Sequence, residues 1–232
     1  MKNTFYDDFK NYISENNPTF YNNIMTLSPK ETEYFKKSLN DFQKISLLME
    51  IIGEKSSIQE SNFFLPEINQ LLKRILHVLT LNDQYILDVF FRTISESLLR
   101  LIIFNSPQNN LSLRKIQTLS FTSIKKIVTL DSFLYSRKKQ FIYLYDLFST
   151  CSKSLHDPSE NIEKIQVLDD QFTIRLNYKM LNSRIHQLLL IYLNYIIDAY
   201  QIHDSDISLA HHIKINKTMN NSEKNILLHL PK

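Results

Sequence analysis

The chain of 232 residues sets 27 Lys and Arg against 24 Asp and Glu, a formal net charge of +3, with 43% hydrophobic residues to build a core. Its single glycine, Gly53, excludes the glycine-rich phosphate loops of P-loop, Rossmann and kinase folds, and argues against a sheet-rich fold with tight hairpins. One cysteine, Cys151, excludes an intramolecular disulfide and a cysteine-rich zinc site.

The N-terminus, MKNTFYDDFKNYISENNP, is polar where a signal peptide needs an apolar stretch. Phe5, Phe9, Tyr12 and Ile13 nonetheless recur at helical spacing over residues 3–14, up to Asn17-Pro18. Ser28-Pro29-Lys30-Glu31 has the form of an N-cap with proline at the first helical position, opening a helix that ends near Gly53. Leu65-Pro66-Glu67 starts the next, through Ile68, Leu72, Ile75 and Leu79. Asn82-Asp83 then opens a helix through Phe90, Ile94, Leu98 and Ile102, stopped by Asn105-Ser106-Pro107. After the polar loop SPQNNLS comes a shorter helix around Phe121, Ile124 and Val128. Asp131-Ser132 caps one long helix over 133–156, halted by Asp157-Pro158.

Residues 174–202 form the most apolar helix, yet its run from Leu188 to Leu193 is broken at Asn194 and is too short to span a bilayer. A cytoplasmic protein is expected, with no membrane contact. The tail 203–232 is polar, with a last apolar cluster at Ile226 to Leu230, and Lys164 to Leu168 is the best period-two run. The expected fold is all-α, a bundle of about six to eight helices. Its expected divisions are a helical extension at 1–60, a core bundle at 65–202 and a tail at 203–232.

Chemistry concentrates at the helix end YDLFSTCSKSLHDP, where Ser152 and His156, four apart, share a face. Histidine titrates near neutrality and suits proton transfer. The competing reading has His156 capping a terminal carbonyl and Ser152 bonded one turn back. In FFRTISESLLR, Arg92, Glu96 and Arg100 form a row at spacings of four. Arg92 there is either an anion ligand or part of a structural ion-pair ladder. His211 and His212 are adjacent and do not make the i, i+4 pair that binds metal, and His77 reads as a packed or interface histidine. Arg184 and His186 are too close in sequence to share a helical face. No metal site and no cofactor site is expected.

The succession of FFRTISESLLRLI, FTSIKKIV and FIYLYDLFSTCSKSLHD resembles HEPN-like helical domains of bacterial defence and toxin–antitoxin systems, over about residues 85–200. The resemblance implies a HEPN-like core behind an N-terminal extension, a homodimer, RNA as ligand and a protein partner encoded nearby. Active members are metal-independent endoribonucleases that pair an arginine with a histidine about a turn later. His156 matches that histidine, whereas Ser149, Thr150 and Cys151 stand where the arginine is expected. In the RNase reading His156 is the acid or base, Arg92 holds the phosphate charge, Ser152 orients the substrate or His156, and Glu96 completes the set. The alternatives are a non-catalytic helical dimerisation or protein-interaction module and a small-ligand binder with a pocket between helices.

Overall fold

A computed structural model describes residues 4–56, 64–136, 138–156 and 176–228, and every regular element among them is helical. The all-α expectation holds, with twelve helices among the described residues where six to eight were expected. The chain divides into two compact units, Met1–Glu60 with Leu176–Lys232, and Ser61–Arg175. That grouping differs from the one expected from sequence, because residues 176–202 and the tail join the N-terminal helices.

In the first unit, α1 (Phe5–Asn16) opens with a capping box: Thr4 Oγ1 accepts from the Asp7 N–H at 3.3 Å, and the Asp7 carboxylate accepts from the Thr4 N–H at 2.9 Å. Asn17 closes α1 with its backbone N–H and opens α2 (Pro18–Met25) with its side chain, so Pro18 starts a helix rather than only stopping one. A second capping box, Ser28 with Glu31, opens the long α3 (Pro29–Ser56). Along it packs α10, which runs Tyr178–Ile191, continues through a π-helical turn at Tyr192–Ile196 and ends at Ile197–Ala199. The extra residue in that turn shifts the helix phase by about 100°, and Tyr192, Leu193, Tyr195 and Ile196 are all buried there.

The expected weakly patterned tail instead folds, in its described part, into α11 (Leu209–Thr218) and α12 (Asn221–Leu228), with Ile215, Met219 and Leu227 buried. The centre of this unit is Phe35, fully buried, whose ring meets Tyr6, Phe9, Phe20 and Tyr178 edge-on at 5.2–6.2 Å. Gly53 lies inside α3, where an added Cβ meets nothing within 4 Å. Replacing Gly53 by alanine is therefore expected to raise stability by about 0.5–1 kcal/mol, since only backbone entropy of the unfolded chain changes. A lower urea midpoint for that variant would contradict the assignment of an unstrained helical position.

The second unit is built on α5 (Gln84–Phe104), against which α4 (Phe64–Leu79) and α9 (Lys138–His156) pack. Leu87, Phe91, Ile94, Leu98, Leu101 and Ile102 recur every three or four residues and are wholly buried. Asp83 caps α5 by accepting from the Ile86 N–H at 3.1 Å. The loop after α5 contains a short helix the sequence reading passed over, α6 (Leu113–Gln117), before α7 (Phe121–Leu130). Within the helix expected over 133–156, the described residues form α8 (Ser132–Ser136) and α9, and residue 137 lies outside the described residues. Asp131 caps α8 through the Leu134 N–H at 3.0 Å and also accepts from the Ser106 hydroxyl at 2.5 Å, tying the two loops together. The period-two run Lys164 to Leu168 lies outside the described residues. No described helix is long and apolar enough to cross a membrane.

Candidate functional site

The face shared by α5, α7 and α9 carries a layered arrangement of cations and rings. The Arg92 guanidinium lies 5.1 Å from the centre of the Phe148 ring, and Phe148 stacks on Phe121 at 3.9 Å with 16° between planes. Lys125 Nζ sits 4.9 Å from the Phe121 ring centre and 5.6 Å from that of Tyr145, itself edge-on to Phe121. Two cations thus flank a pair of stacked rings, drawn by the negative π faces. Helical spacing explains the set: Tyr145, Phe148 and Ser152 lie at i, i+3 and i+7 on α9, while Phe121 and Lys125 lie one turn apart on α7.

Polar atoms at this face are left without partners. Arg92 Nε, Tyr145 Oη and Ser152 Oγ are buried and make no hydrogen bond among the described residues. A buried polar atom without a protein partner calls for a water or a ligand to satisfy it. Burial pushes the Tyr145 phenol up to about 12, so it remains a protonated donor near neutral pH. Arg92 forms no ion pair among the described residues, because Glu96 is engaged elsewhere: its carboxylate accepts from Arg100 at 2.7 Å, and Arg100 also donates to the Leu119 carbonyl at 3.1 Å. The expected row therefore divides. Glu96 and Arg100 brace α5 against the turn before α7, and Arg92 stands outside that pair, over the Phe148 ring.

Of the residues singled out from sequence, the structure brings Arg92 onto α9 through Phe148, one turn ahead of Ser152. No hydrogen bond joins Arg92 to Ser152 among the described residues. His156 is the last residue of α9, and its side chain lies outside the described residues. His77 is exposed on α4, and His211 is buried on α11 against Glu50 and Glu54 at 3.4–3.5 Å. No group of three or more potential metal ligands occurs among the described residues. Phe121, Tyr145 and Phe148 were missed as site residues because each reads as ordinary amphipathic patterning until three helices are placed together.

A second polar cluster was missed altogether. His186 Nδ1 lies 2.8 Å from Asp41 Oδ2, across 145 positions of sequence, and no local motif signals such a pair. Comparison of the chain with protein-family models, with curated proteins and with solved structures finds no match.

Proposed function

We propose that this is a cytoplasmic, HEPN-like RNA-binding protein of a bacterial defence or toxin–antitoxin system, which contacts single-stranded RNA through the α5–α7–α9 face. The observation that supports this most is the Arg92–Phe148–Phe121–Lys125 stack, with Arg92 lacking a carboxylate partner among the described residues. Cations beside aromatic faces are the chemistry with which proteins hold unpaired nucleotides: charge takes the phosphate, and rings take the base. In its catalytic form the site cleaves RNA without metal. His156 exchanges the proton of the ribose 2′-hydroxyl, Arg92 stabilises the charge developing on the phosphate, and Ser152 orients one or the other.

A second reading has a specific observation behind it. Tyr85 and Val89, one turn apart on α5, are 48% and 38% exposed, and Leu81 in the turn before α5 is 58% exposed, which leaves apolar surface just ahead of Arg92. Such a surface suits a homodimer or a protein partner, and a two-fold contact there places two Arg92 sites close together.

The test is fluorescence anisotropy with a labelled single-stranded RNA at low salt. The Arg92→Ala/Lys125→Ala double variant is expected to weaken binding at least tenfold and to reduce the salt dependence by about one to two released counterions. Binding unchanged by both substitutions would remove this face from the interaction.

A further inference from the structure

The first unit carries a site built from α3, α10 and the start of α12, distinct in residues and chemistry from the stack described above. Lys44 Nζ, in α3, donates to Asp41 Oδ1 at 2.9 Å and to Glu223 Oε1 at 2.7 Å. Glu223 is itself pinned by a capping box, its other carboxylate oxygen accepting from the Asn220 N–H at 2.9 Å while Asn220 Oδ1 accepts from the Glu223 N–H at 2.9 Å. Asp41 Oδ2 takes the His186 Nδ1–H at 2.8 Å. Asp41, Lys44 and Glu223 are nearly buried, whereas the His186 side chain is 47% exposed. The chain of contacts therefore runs from a fixed interior to one imidazole at a surface.

That imidazole lies at a cavity of about 370 Å³ whose lining holds only polar side chains, including Lys37, Asn40, Asn182, Asn220 and His186. Asn182 is one turn before His186 on α10, and its Oδ1 is buried without a hydrogen-bond partner among the described residues. Four features narrow what fits. The volume is at the small end for ligand pockets, so the occupant is about the size of a monosaccharide. The lining side chains carry hydrogen-bonding groups on apolar stems, so the occupant offers hydroxyls together with a C–H face. Asp41 and Glu223 against Lys44 leave a formal charge of −1, and Lys37 at the rim is paired with Glu33 at 2.6 Å, so an anion is disfavoured. A carboxylate holding Nδ1–H leaves the lone pair of Nε2 directed away from Asp41, ready to accept a proton.

We propose that the Asp41–His186 pair is a proton-accepting site for a neutral, hydroxyl-rich ligand of monosaccharide size. His186 Nε2 accepts the hydrogen bond of a ligand hydroxyl. When the O–H bond breaks, its proton passes to Nε2 and its electron pair stays on the ligand oxygen. Protonated His186 then brings the network of Asp41, Lys44, Glu223 and His186 to a formal charge of zero. Asp41 is a positioning residue in this scheme, since it acts through the imidazole.

The pair is tested first by nitrogen-detected NMR of the wild-type full chain. His186 is expected in the Nδ1–H tautomer, and the Nε2–H form that free histidine favours would overturn the proposal. The second arm is diethyl pyrocarbonate modification near neutral pH with mapping of all seven histidines. His186 is expected to react several-fold faster than exposed His77, to slow to the rate of His77 in Asp41→Asn, and to be protected by D-ribose but not by inorganic phosphate. A rate equal to that of His77 in the wild type, protection by phosphate, or none by the sugar would each contradict the assignment. None of these readouts involves RNA, so failure here and failure of the RNA-binding reading are separable.

Discussion

Phe35→Ala is expected to lower the stability of the first unit by about 3–5 kcal/mol, the range for removing a large aromatic from a packed core. The position is fully buried, and its ring is the shared partner of Tyr6, Phe9, Phe20 and Tyr178, which arrive from α1, α2 and α10. Truncation opens a cavity and removes four edge-to-face contacts at once, and four surrounding rings have little freedom to collapse into the gap. Phe35→Leu, which keeps most of the apolar volume, should lose clearly less. Urea unfolding followed by far-UV circular dichroism is the check, the chain having no tryptophan. A loss below about 1 kcal/mol for the alanine variant would show that Phe35 is not the hub of this core.

Lys44→Met is expected to cost about 3 kcal/mol, because it leaves Asp41 and Glu223 facing each other, nearly buried, without the cation between them. The magnitude comes from the two stranded carboxylates more than from the lost bonds, so the Lys44→Met/Glu223→Gln double variant should recover part of the loss. The interaction energy of that double-mutant cycle should exceed 0.5 kcal/mol. Burial acts to lower the basicity of Lys44, but the hydrogen bonds it donates to Glu223 and Asp41 outweigh it and hold the ammonium above the ordinary lysine range. A raised value in the folded state means that this contribution is fully present below the unfolded lysine value of about 10.4. It is lost as pH rises through the folded value. Stability of the wild type relative to Lys44→Met should accordingly be constant around neutrality and shrink only in strong alkali. Additive effects in the cycle would mean that the three side chains do not act as one network.

How much of this was legible in the sequence follows from what kind of signal each feature leaves. The caps were readable because they are local: Ser28 with Glu31, Asp83 and Asp131 each satisfy helix donors within three residues. The helix α5 was readable because its apolar residues keep one period over 21 residues. The short α6 and the helices at 209–228 were not, since five to ten residues give too few turns for a period to stand out. The grouping of α10 with α3 left no local trace, because helices report their apolar face and not its partner.

The candidate sites divide in the same way. Arg92 and Ser152 were found as members of short spaced motifs, and the structure places both on the α5–α9 side of the second unit. Glu96 was grouped with Arg92 on spacing alone, whereas three-dimensional packing gives it to Arg100 and the Leu119 carbonyl. The ring pair Phe121–Phe148 joins segments 27 positions apart, and Asp41–His186 joins segments 145 apart. Neither leaves a pattern in any window of sequence.

The central claim is that the cation–ring face of α5, α7 and α9 holds single-stranded RNA. Its most direct measurement is anisotropy titration of a labelled single-stranded RNA against the wild type and against Phe148→Ala, followed by incubation of the same RNA in EDTA with wild type and His156→Ala. Saturable, salt-sensitive binding by the wild type, weakened about tenfold by Phe148→Ala, is the predicted result, with any cleavage in EDTA lost in His156→Ala. Absence of wild-type binding at low salt, or equal binding by Phe148→Ala, would contradict it.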